Sequence, residues 1–248
     1  MLRVKNILIT QPKPETDKSP YFDLAKKFNI KVDFCPFIKV EPVAAKEFRQ
    51  EKINIHDYTS VIFTSRNAID QFFRMCGELR TSPAESMKYF CLSDSIAYYL
   101  QKYVVFRKRK IFFGKQTIED LLSIMNKHNG EKFLVPSADI QKQRINEVLE
   151  ENKIRFKRAV MYKTVCSDLG GINIYNYDIL VFFSPLDVKS LTRNFPKFKQ
   201  NNTRIAAFGP TVSKAVSSAK LRLDIMAPMP GAPSMPMVLA QYLKKANK

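Results

Sequence analysis

An apolar segment that ends in a serine occurs twice in the chain and constrains the fold more than any other feature. Tyr58 to Ser65 and Tyr177 to Ser184 have the same length, with a tyrosine at the start and a serine at the end. Apolar residues then recur four and seven positions after each serine, as on one face of a helix. Both segments predict a β-strand that leads into a helix, with a hydroxyl at the carboxyl end of the strand, where open parallel sheets bind their ligands.

Two further pairs of segments repeat at a similar distance along the chain. Residues 90–97 resemble residues 206–213, and residues 29–38 resemble residues 153–162. Solenoid repeats are only about 20–50 residues long, so a repeat of half the chain predicts two similar domains. Coincidence is the alternative, since every α/β chain alternates strands and helices.

The order of the predicted elements indicates parallel sheets, because strand-like and helix-like segments alternate throughout. Residues 61–64 and 179–183 are apolar at nearly every position, which is typical of strands buried on both faces. Val104 to Phe106 is expected to be another strand. The extended segments 36–40 and 158–165 are equivalent under the duplication, and they are interpreted as two linkers between domains.

The predicted fold class is therefore α/β, with two similar domains, each a parallel β-sheet flanked by helices, joined by a two-stranded linker. Domain 1 is discontinuous. The expected bounds are 1–36 plus 166–248 for domain 1, 41–158 for domain 2, and 36–40 and 158–165 for the linkers. A cleft between domains is the default place for a ligand.

Composition is consistent with a globular protein in a reducing compartment. The chain has 248 residues, of which 45% are hydrophobic, so it can form a full core. Its 4 cysteines show no C-x-x-C spacing, which argues against a zinc site or a disulfide framework. No long apolar segment predicts a signal peptide or a membrane span, so a cytoplasmic location is expected.

The formal net charge of +18 suggests an anionic partner. The cations are dispersed, and residues 107–110 form the one dense basic run. No helix-turn-helix, RNA-binding or zinc-finger pattern is visible, so no nucleic-acid partner is expected. The remaining explanations are a solvated basic surface and a small polyanionic ligand.

The sequence lacks the residues that several common kinds of active site require. With only 7 glycines and neither a G-x-G-x-x-G nor a Walker pattern, a dinucleotide or nucleotide site is not expected. His56 and His128 are the only histidines, and both lie in polar surroundings. No metal-ligand cluster and no Ser-His-Asp arrangement is apparent, so no cofactor is predicted.

Hydroxyl groups at predicted helix starts are the remaining candidates for a site. A helix start offers unpaired N–H groups and the positive end of the helix dipole, which together bind carboxylates or phosphates. The alternative is that these residues only cap helices. The candidates are Ser65, Ser93, Ser95, Ser137, Ser184 and Thr211. Tyr162, on the second extended segment, either donates a proton to a ligand or only packs.

Short motifs occur along nearly the whole chain, and they are Ile62 to Ser65 with Asn67 and Ala68, Leu134 to Pro136 with Arg144, Val160 to Thr164, Phe182 to Pro185, and Ile205 to Thr211. Their order resembles that of the uroporphyrinogen-III synthase family. The last two motifs are the most specific. The resemblance implies two α/β domains joined by a two-stranded ladder, in agreement with the duplication.

The resemblance also implies a reaction. The family cyclises hydroxymethylbilane, a linear tetrapyrrole rich in carboxylates, with loss of water and inversion of the terminal pyrrole, in haem biosynthesis. The enzyme would be a cyclising hydro-lyase that needs no cofactor and uses Tyr162 as a catalytic acid. Nothing in the sequence demands an oligomer, so a monomer is expected. The residues predicted to bind substrate are Thr64, Ser65, Arg66, Ser93, Ser95, Ser137, Ser184 and Thr211.

Four positions depart from the family pattern. Gln11 stands where an arginine is frequent, Ile96 and Val212 stand where threonines are frequent, and Ser137 replaces a frequent arginine. These departures leave open a non-catalytic tetrapyrrole- or anion-binding paralogue on the same fold. A bilobal binding protein of the periplasmic type is a third hypothesis, against which the absence of a signal-peptide pattern speaks. Retention of Tyr162 favours an active enzyme.

Overall fold

A computed structural model describes residues 3–16, 18–139 and 143–247, and the chain forms two compact units. Unit 1 comprises Met1–Lys39 and Val165–Lys248, and unit 2 comprises Val40–Thr164. The strands are β1 (Asn6–Ile9), β2 (Lys31–Phe34), β3 (Ile38–Pro42), β4 (Ser60–Phe63), β5 (Lys88–Cys91), β6 (Ile111–Phe113), β7 (Phe133–Ala138), β8 (Phe156–Cys166), β9 (Ile179–Phe182), β10 (Arg204–Phe208) and β11 (Ile225–Ala227). The helices are α1 (Pro20–Phe28), α2 (Ala45–Gln50), α3 (Arg66–Glu78), α4 (Asp94–Leu100), α5 (Glu119–Asn126), α6 (Gln143–Glu151), α7 (Pro185–Asn194), α8 (Pro210–Ser218) and α9 (Met235–Ala246).

Unit 1 contains a five-stranded sheet in the order β11-β10-β9-β1-β2. All four neighbouring pairs are parallel. Every residue of β9 is buried, because one apolar cluster packs on each face of this sheet. Val181 belongs to the first cluster and Leu180 to the second, which is the alternation that a strand covered on both faces requires.

The sheet of unit 2 has the order β3-β8-β7-β4-β5-β6. The pairs β7–β8, β4–β7, β4–β5 and β5–β6 are parallel. Strand β4 is buried at all of its residues, with Val61 and Phe63 in one cluster and Ile62 in the other. The mixed α/β fold class, with mainly parallel sheets flanked by helices, is thereby confirmed, as is the burial of both predicted core strands.

The segment Val104 to Phe106 is not a strand, and this prediction was wrong. It lies in the loop between α4 and β6, and Val105 is 79% exposed. Backbone bonds from Tyr103 N–H to Leu100 C=O and from Lys110 N–H to Arg107 C=O bend the chain into turns here. Strand β6 occupies the sheet edge beside β5 and begins only at Ile111. Among the helices of the described residues, none combines the length and apolar character of a membrane span.

Candidate active site

The strand order of unit 2 reverses between β4 and β7, and this reversal marks the ligand-binding edge of an open parallel sheet. From β4 the chain proceeds to β5 and β6 on one side, and then crosses to β7 and β8 on the other. Thr64 and Ser65 follow β4, and Ser93 follows β5. Because carboxyl ends of parallel strands meet at one edge, these residues and the end of β7 share that edge.

Ser65 is the N-cap of α3, as its position after the strand predicts. Its backbone is extended, and its Oγ accepts a hydrogen bond of 3.1 Å from Ala68 N–H. The N–H groups of Thr64, Ser65, Arg66 and Asn67 have no acceptor among the described residues. Four successive free N–H groups at the positive end of a 13-residue helix are suited to bind a carboxylate.

Tyr162 reaches this junction from β8. Its side chain is 8% exposed, and its Oη lies 3.5 Å from Ser65 Oγ. That separation exceeds the usual 2.5–3.0 Å of an O–H···O bond, so the phenol is only weakly engaged. Catalytic hydrogen bonds are often long in free enzymes and shorten when substrate binds.

A β-bulge contributes to the placement of Tyr162. Ser137 pairs with Val160 and Ala138 pairs with Tyr162, which leaves Met161 as the extra residue of β8. Bulges re-aim the side chains beside them and are frequent next to active sites. Asp139 N–H then donates to Tyr162 C=O over 3.0 Å and fixes the backbone after the bulge.

Ser93 and Ser95 lie together at the end of β5. Ser93 caps α4 by accepting a bond of 3.4 Å from Ile96 N–H, and its Oγ lies 2.9 Å from Ser95 Oγ. Ile96 packs against the core, so the side chain at this position adds no hydroxyl to the site. Asp94 Oδ1 accepts from Ser95 N–H over 2.6 Å and places a negative charge beside the pair.

Arg66 supplies a cation at the same edge. Its side chain is exposed, and its guanidinium lies 5.4 Å from the centre of the Tyr99 ring. Tyr99 is itself fixed by bonds of 2.9 and 3.0 Å to the carboxylate of Asp70. A stacked arginine of this kind can meet a carboxylate from solvent. Thr64 is half-buried, and its hydroxyl has no partner within the described ranges.

Ser137 precedes α6, as predicted, but the prediction that it follows the strand was wrong. It lies within β7 and is only 1% exposed. Its Oγ accepts a bond of 2.9 Å from Arg158 Nε, while Arg158 Nη2 donates to the carbonyl groups of Ala138 and Asp139. Arg158 thus places a guanidinium where the resemblance implied an arginine at position 137. In the sequence, Arg158 lies two residues before Val160, and nothing in that position indicated that it would contact Ser137.

The equivalent junction of unit 1 is built differently. Ser184 caps α7 and accepts a bond of 3.2 Å from Asp187 N–H. Asp187 Oδ2 in turn accepts from Phe183 N–H at 3.0 Å and from Ser184 N–H at 2.8 Å. The protein's own carboxylate therefore occupies the N–H groups that correspond to those of Thr64 and Ser65.

Sequence reasoning missed Asp187, which lies next to the carboxyl ends of the strands of unit 1. Its spacing from Ser184, Ser184-x-x-Asp187, is that of a capping box. It is 2% exposed, and its Oδ1 has no hydrogen-bond partner among the residues that the structure describes. Burial is the largest influence and raises the pKa of the carboxyl, against the lowering effect of the two N–H donors. Thr10, in the neighbouring strand end, is also buried and donates to Val181 C=O over 2.8 Å.

Thr211 also lies in unit 1, in the first turn of α8. The helix begins at Pro210, and its N-cap is Gly209, whose φ of 87° suits glycine and which offers no side-chain cap. Thr211 is exposed, and Val212 is buried in the core of the unit. Gln11 is exposed after β1. Ser184 and Thr211 follow neighbouring strands, but no hydrogen bond joins them in the described structure.

Metal and thiolate chemistry have no support in the described residues. No group of three or more His, Cys, Asp or Glu side chains there could hold a metal ion. Burial raises the pKa of Cys91 to about 12, and that of Cys76 likewise to about 12. Both thiols are therefore protonated at neutral pH and are core residues rather than nucleophiles.

Comparisons with known proteins identify the family by sequence and the fold by structure. The family model described as "Uroporphyrinogen-III synthase HemD" matches residues 20–236. The crystal structure of uroporphyrinogen-III synthetase from Helicobacter pylori is 17% identical, with 97% of this chain and 99% of that chain covered and a TM-score of 0.60. A mutant uroporphyrinogen III synthase from Thermus thermophilus is 14% identical, with 98% of both chains covered and a TM-score of 0.51. These likenesses show a shared fold. No curated protein matches the chain by sequence.

Proposed function

Because this chain belongs to the uroporphyrinogen-III synthase family, we propose that Tyr162 and the first turn of α3 form the centre of its active site. The chain is a cyclising lyase of tetrapyrrole biosynthesis, and it catalyses the reaction of its family. The observation that carries the proposal is the 3.5 Å approach of Tyr162 Oη to Ser65 Oγ, beside four unpaired N–H groups.

The substrate that we propose is hydroxymethylbilane, and the product is uroporphyrinogen III. The net charge of +18 favours a substrate with many carboxylates. One carboxylate would accept from the N–H groups of Ser65, Arg66 and Asn67, and the Arg66 guanidinium would add a charge-assisted bond. Ser93, Ser95 and Thr64 would bind further polar groups along the same edge.

Tyr162 would act as the general acid in the first step. Its phenol gives a proton to the terminal hydroxyl of the bilane as the C–O bond breaks, and water leaves. The electron pair of the adjacent pyrrole nitrogen assists the cleavage of the C–O bond and the departure of water. A weakly engaged phenol can make this transfer because no strong internal acceptor holds its proton. General acid assistance of this kind typically contributes about 10²–10⁴-fold to a rate.

Ring closure and inversion would then depend on how the chain holds the flexible bilane. Orientation of reacting groups can supply much of a barrier reduction without a strong nucleophile. In unit 1 the free first-turn N–H groups of α8, at Thr211 and Val212, are candidates for another carboxylate. Ser184 is a weaker candidate, since Asp187 already occupies its N–H group.

We propose that the two units are separate domains, with linkers at 36–40 and 158–165, and that the protein works as a cytoplasmic monomer without a cofactor. A non-catalytic tetrapyrrole-binding protein is the second candidate. The half-buried Ile96 and the buried Val212 favour it, because each lacks the hydroxyl that the family frequently has there.

An isomer assay tests the proposal directly. Hydroxymethylbilane is generated in the presence of the protein, the products are oxidised, and the type I and type III porphyrins are separated. Left alone, the bilane closes without inversion and yields type I. Predominant type III is expected. Type I alone, formed at the uncatalysed rate, would rule out the enzyme and leave the binding protein as the better account.

A further inference from the structure

Unit 2 contains a cavity of about 420 Å³ at the amino end of its sheet. The loop before β5, the loop before β6 and Phe73 of α3 form its walls. Tyr89, the second residue of β5, lines the cavity, whereas Ser93 lies beyond the other end of that strand. At about 3.3 Å per residue, roughly 13 Å of strand separates the two. The cavity is therefore distinct from the candidate active site, and its volume suits a small ligand.

The walls of the cavity are apolar and fixed. Phe73, Met87, Val104 and Ile111 contribute side chains to it. The ring of Tyr103 stacks on Phe73 with 4.5 Å between centroids and an angle of 2° between planes. The Tyr103 hydroxyl donates to Asp70 over 2.6 Å, and this hydrogen bond fixes the position of the ring. Such a surface suits a flat, apolar body.

Tyr89 adds a polar group that the protein itself does not use. The residue is 6% exposed, and its ring lies parallel to that of Phe63, 6.0 Å away. Its hydroxyl has no hydrogen-bond partner among the described residues and is not one of their fully buried unpaired atoms, so it is accessible to solvent and to a ligand. Burial raises the pKa of Tyr89 to about 12, so the phenol keeps its proton and is a donor. An acceptor from a ligand would satisfy it.

Positive charge surrounds the opening. Arg107 and Lys110 line the cavity, and Lys108 and Arg109 lie between them in the sequence. Arg107 Nη1 lies 3.5 Å from Glu85 Oε1, but both side chains are exposed, so this ion pair is weak. Lys110 Nζ donates to the backbone carbonyl of Glu85, a neutral acceptor that does not compensate the ammonium charge. The opening therefore attracts anions.

We propose that this cavity binds a small amphipathic anion. Its flat apolar body would lie against the Phe73–Tyr103 wall, and its single carboxylate would accept from the Tyr89 hydroxyl and meet the charge of Arg107. This site is independent of the proposed catalytic function, because none of its residues lies at the carboxyl edge of the sheet, where Ser65 and Ser93 are found.

A titration of the full chain with 1-naphthoate tests the site. The chain has 0 tryptophans, so fluorescence excited beyond the tyrosine absorption comes from the probe. A dissociation constant of about 0.1–1 mM is expected for a probe of this size. 1-Naphthamide, which has the same ring without the charge, should bind about tenfold more weakly. The absence of saturable naphthoate binding up to roughly ten times that constant would overturn the proposal.

Variants locate the bound probe. Arg107→Gln and Tyr89→Phe should each weaken naphthoate binding about five- to tenfold. Arg109→Gln removes the same charge from the same loop but does not line the cavity, so its affinity should be unchanged. Arg107→Gln should also retain full cyclisation activity. Equal affinity in the wild type, Arg107→Gln and Tyr89→Phe would place the probe elsewhere and overturn the proposal.

Discussion

The strand-to-helix turns at Ser65 in unit 2 and at Ser184 in unit 1 have the same serine cap, but they differ in what the nearby N–H groups bind. Each serine follows a buried strand and caps the next helix through the N–H group three residues later. In unit 2 that third residue is Ala68, and the N–H groups of Thr64 to Asn67 have no acceptor in the described part of the chain. In unit 1 it is Asp187, whose carboxylate accepts from two of the corresponding groups. The same cap therefore leaves N–H groups open to an outside acceptor in unit 2, whereas a carboxylate of the protein occupies them in unit 1.

A second difference concerns what approaches the serine. Tyr162 places a phenol 3.5 Å from Ser65, whereas the counterpart of Tyr162 in the first repeat is Ile38, which has no polar group. From these two differences we propose that the two units have divided their tasks. Unit 2 would keep an open helix start with a proton donor, whereas unit 1 uses its helix start for internal hydrogen bonds.

The largest expected effect comes from removing the phenol. Tyr162→Phe should lower kcat/KM for type III formation about 10²–10⁴-fold while leaving weak activity, because positioning by the rest of the site remains. Tyr175→Phe, at an exposed tyrosine of unit 1, is the matched control and should retain full activity. Wild-type kcat/KM in Tyr162→Phe would show that this tyrosine only packs.

The next largest effect should follow from giving unit 2 the closed junction of unit 1. Ala68→Asp places a carboxylate at the position equivalent to Asp187, where it can accept from Thr64 N–H and Ser65 N–H. We expect about tenfold or greater loss of kcat/KM, since one good hydrogen-bonded carboxylate contact is worth about 1.5–3 kcal/mol. Circular dichroism checks that the variant folds.

Ala68→Asn is the control for that experiment, because it has nearly the same shape without the charge. It should impair activity less than Ala68→Asp if a substrate carboxylate binds these N–H groups. Equal kcat/KM for both folded variants would argue that steric change, not competition for the N–H groups, explains the loss.

A smaller effect separates the two serines. Ser65→Ala and Ser184→Ala should each lower the free energy of unfolding by about 1 kcal/mol, the usual value of an N-cap side chain. Only Ser65→Ala should also change kcat/KM, because its Oγ lies beside Tyr162. Denaturant unfolding and the isomer assay measure the two quantities. An equal loss of kcat/KM in both variants would contradict the division of tasks between the units.

Sequence reasoning succeeded where the signal was local. The burial of β4 and β9 followed from their unbroken apolar runs, and the cap at Ser65 followed from its place after a strand. The edge shared by Ser65 and Ser93 followed from parallel topology. In each case hydrophobic period and helix-cap chemistry fix the outcome without knowledge of distant residues.

The sequence could not reveal features that depend on neighbours across the sheet. Arg158 reaches Ser137 because β8 pairs with β7, and the bulge beside Tyr162 exists only in that pairing. Val104 to Phe106 has strand-like composition, yet turns at both ends carry it around the edge of the sheet. Asp187 was detectable in principle, since its spacing from Ser184 is that of a capping box, but its burial was not.

The smallest expected effect tests the closed junction through pH. Burial raises the pKa of Asp187 in the folded state above its unfolded value of about 3.9, so the folded chain binds more protons in that range. Stability from this residue is fully present below the unfolded pKa, and it falls as pH rises towards the folded pKa.

Asp187→Asn keeps an acceptor for Phe183 N–H and Ser184 N–H but cannot ionise. Wild type should therefore lose free energy of unfolding relative to Asp187→Asn as pH rises from about 3.5 to 7, measured by urea denaturation. A relative gain by wild type over that range would mean that the two N–H donors outweigh burial and that the closed junction is a carboxylate site in its own right.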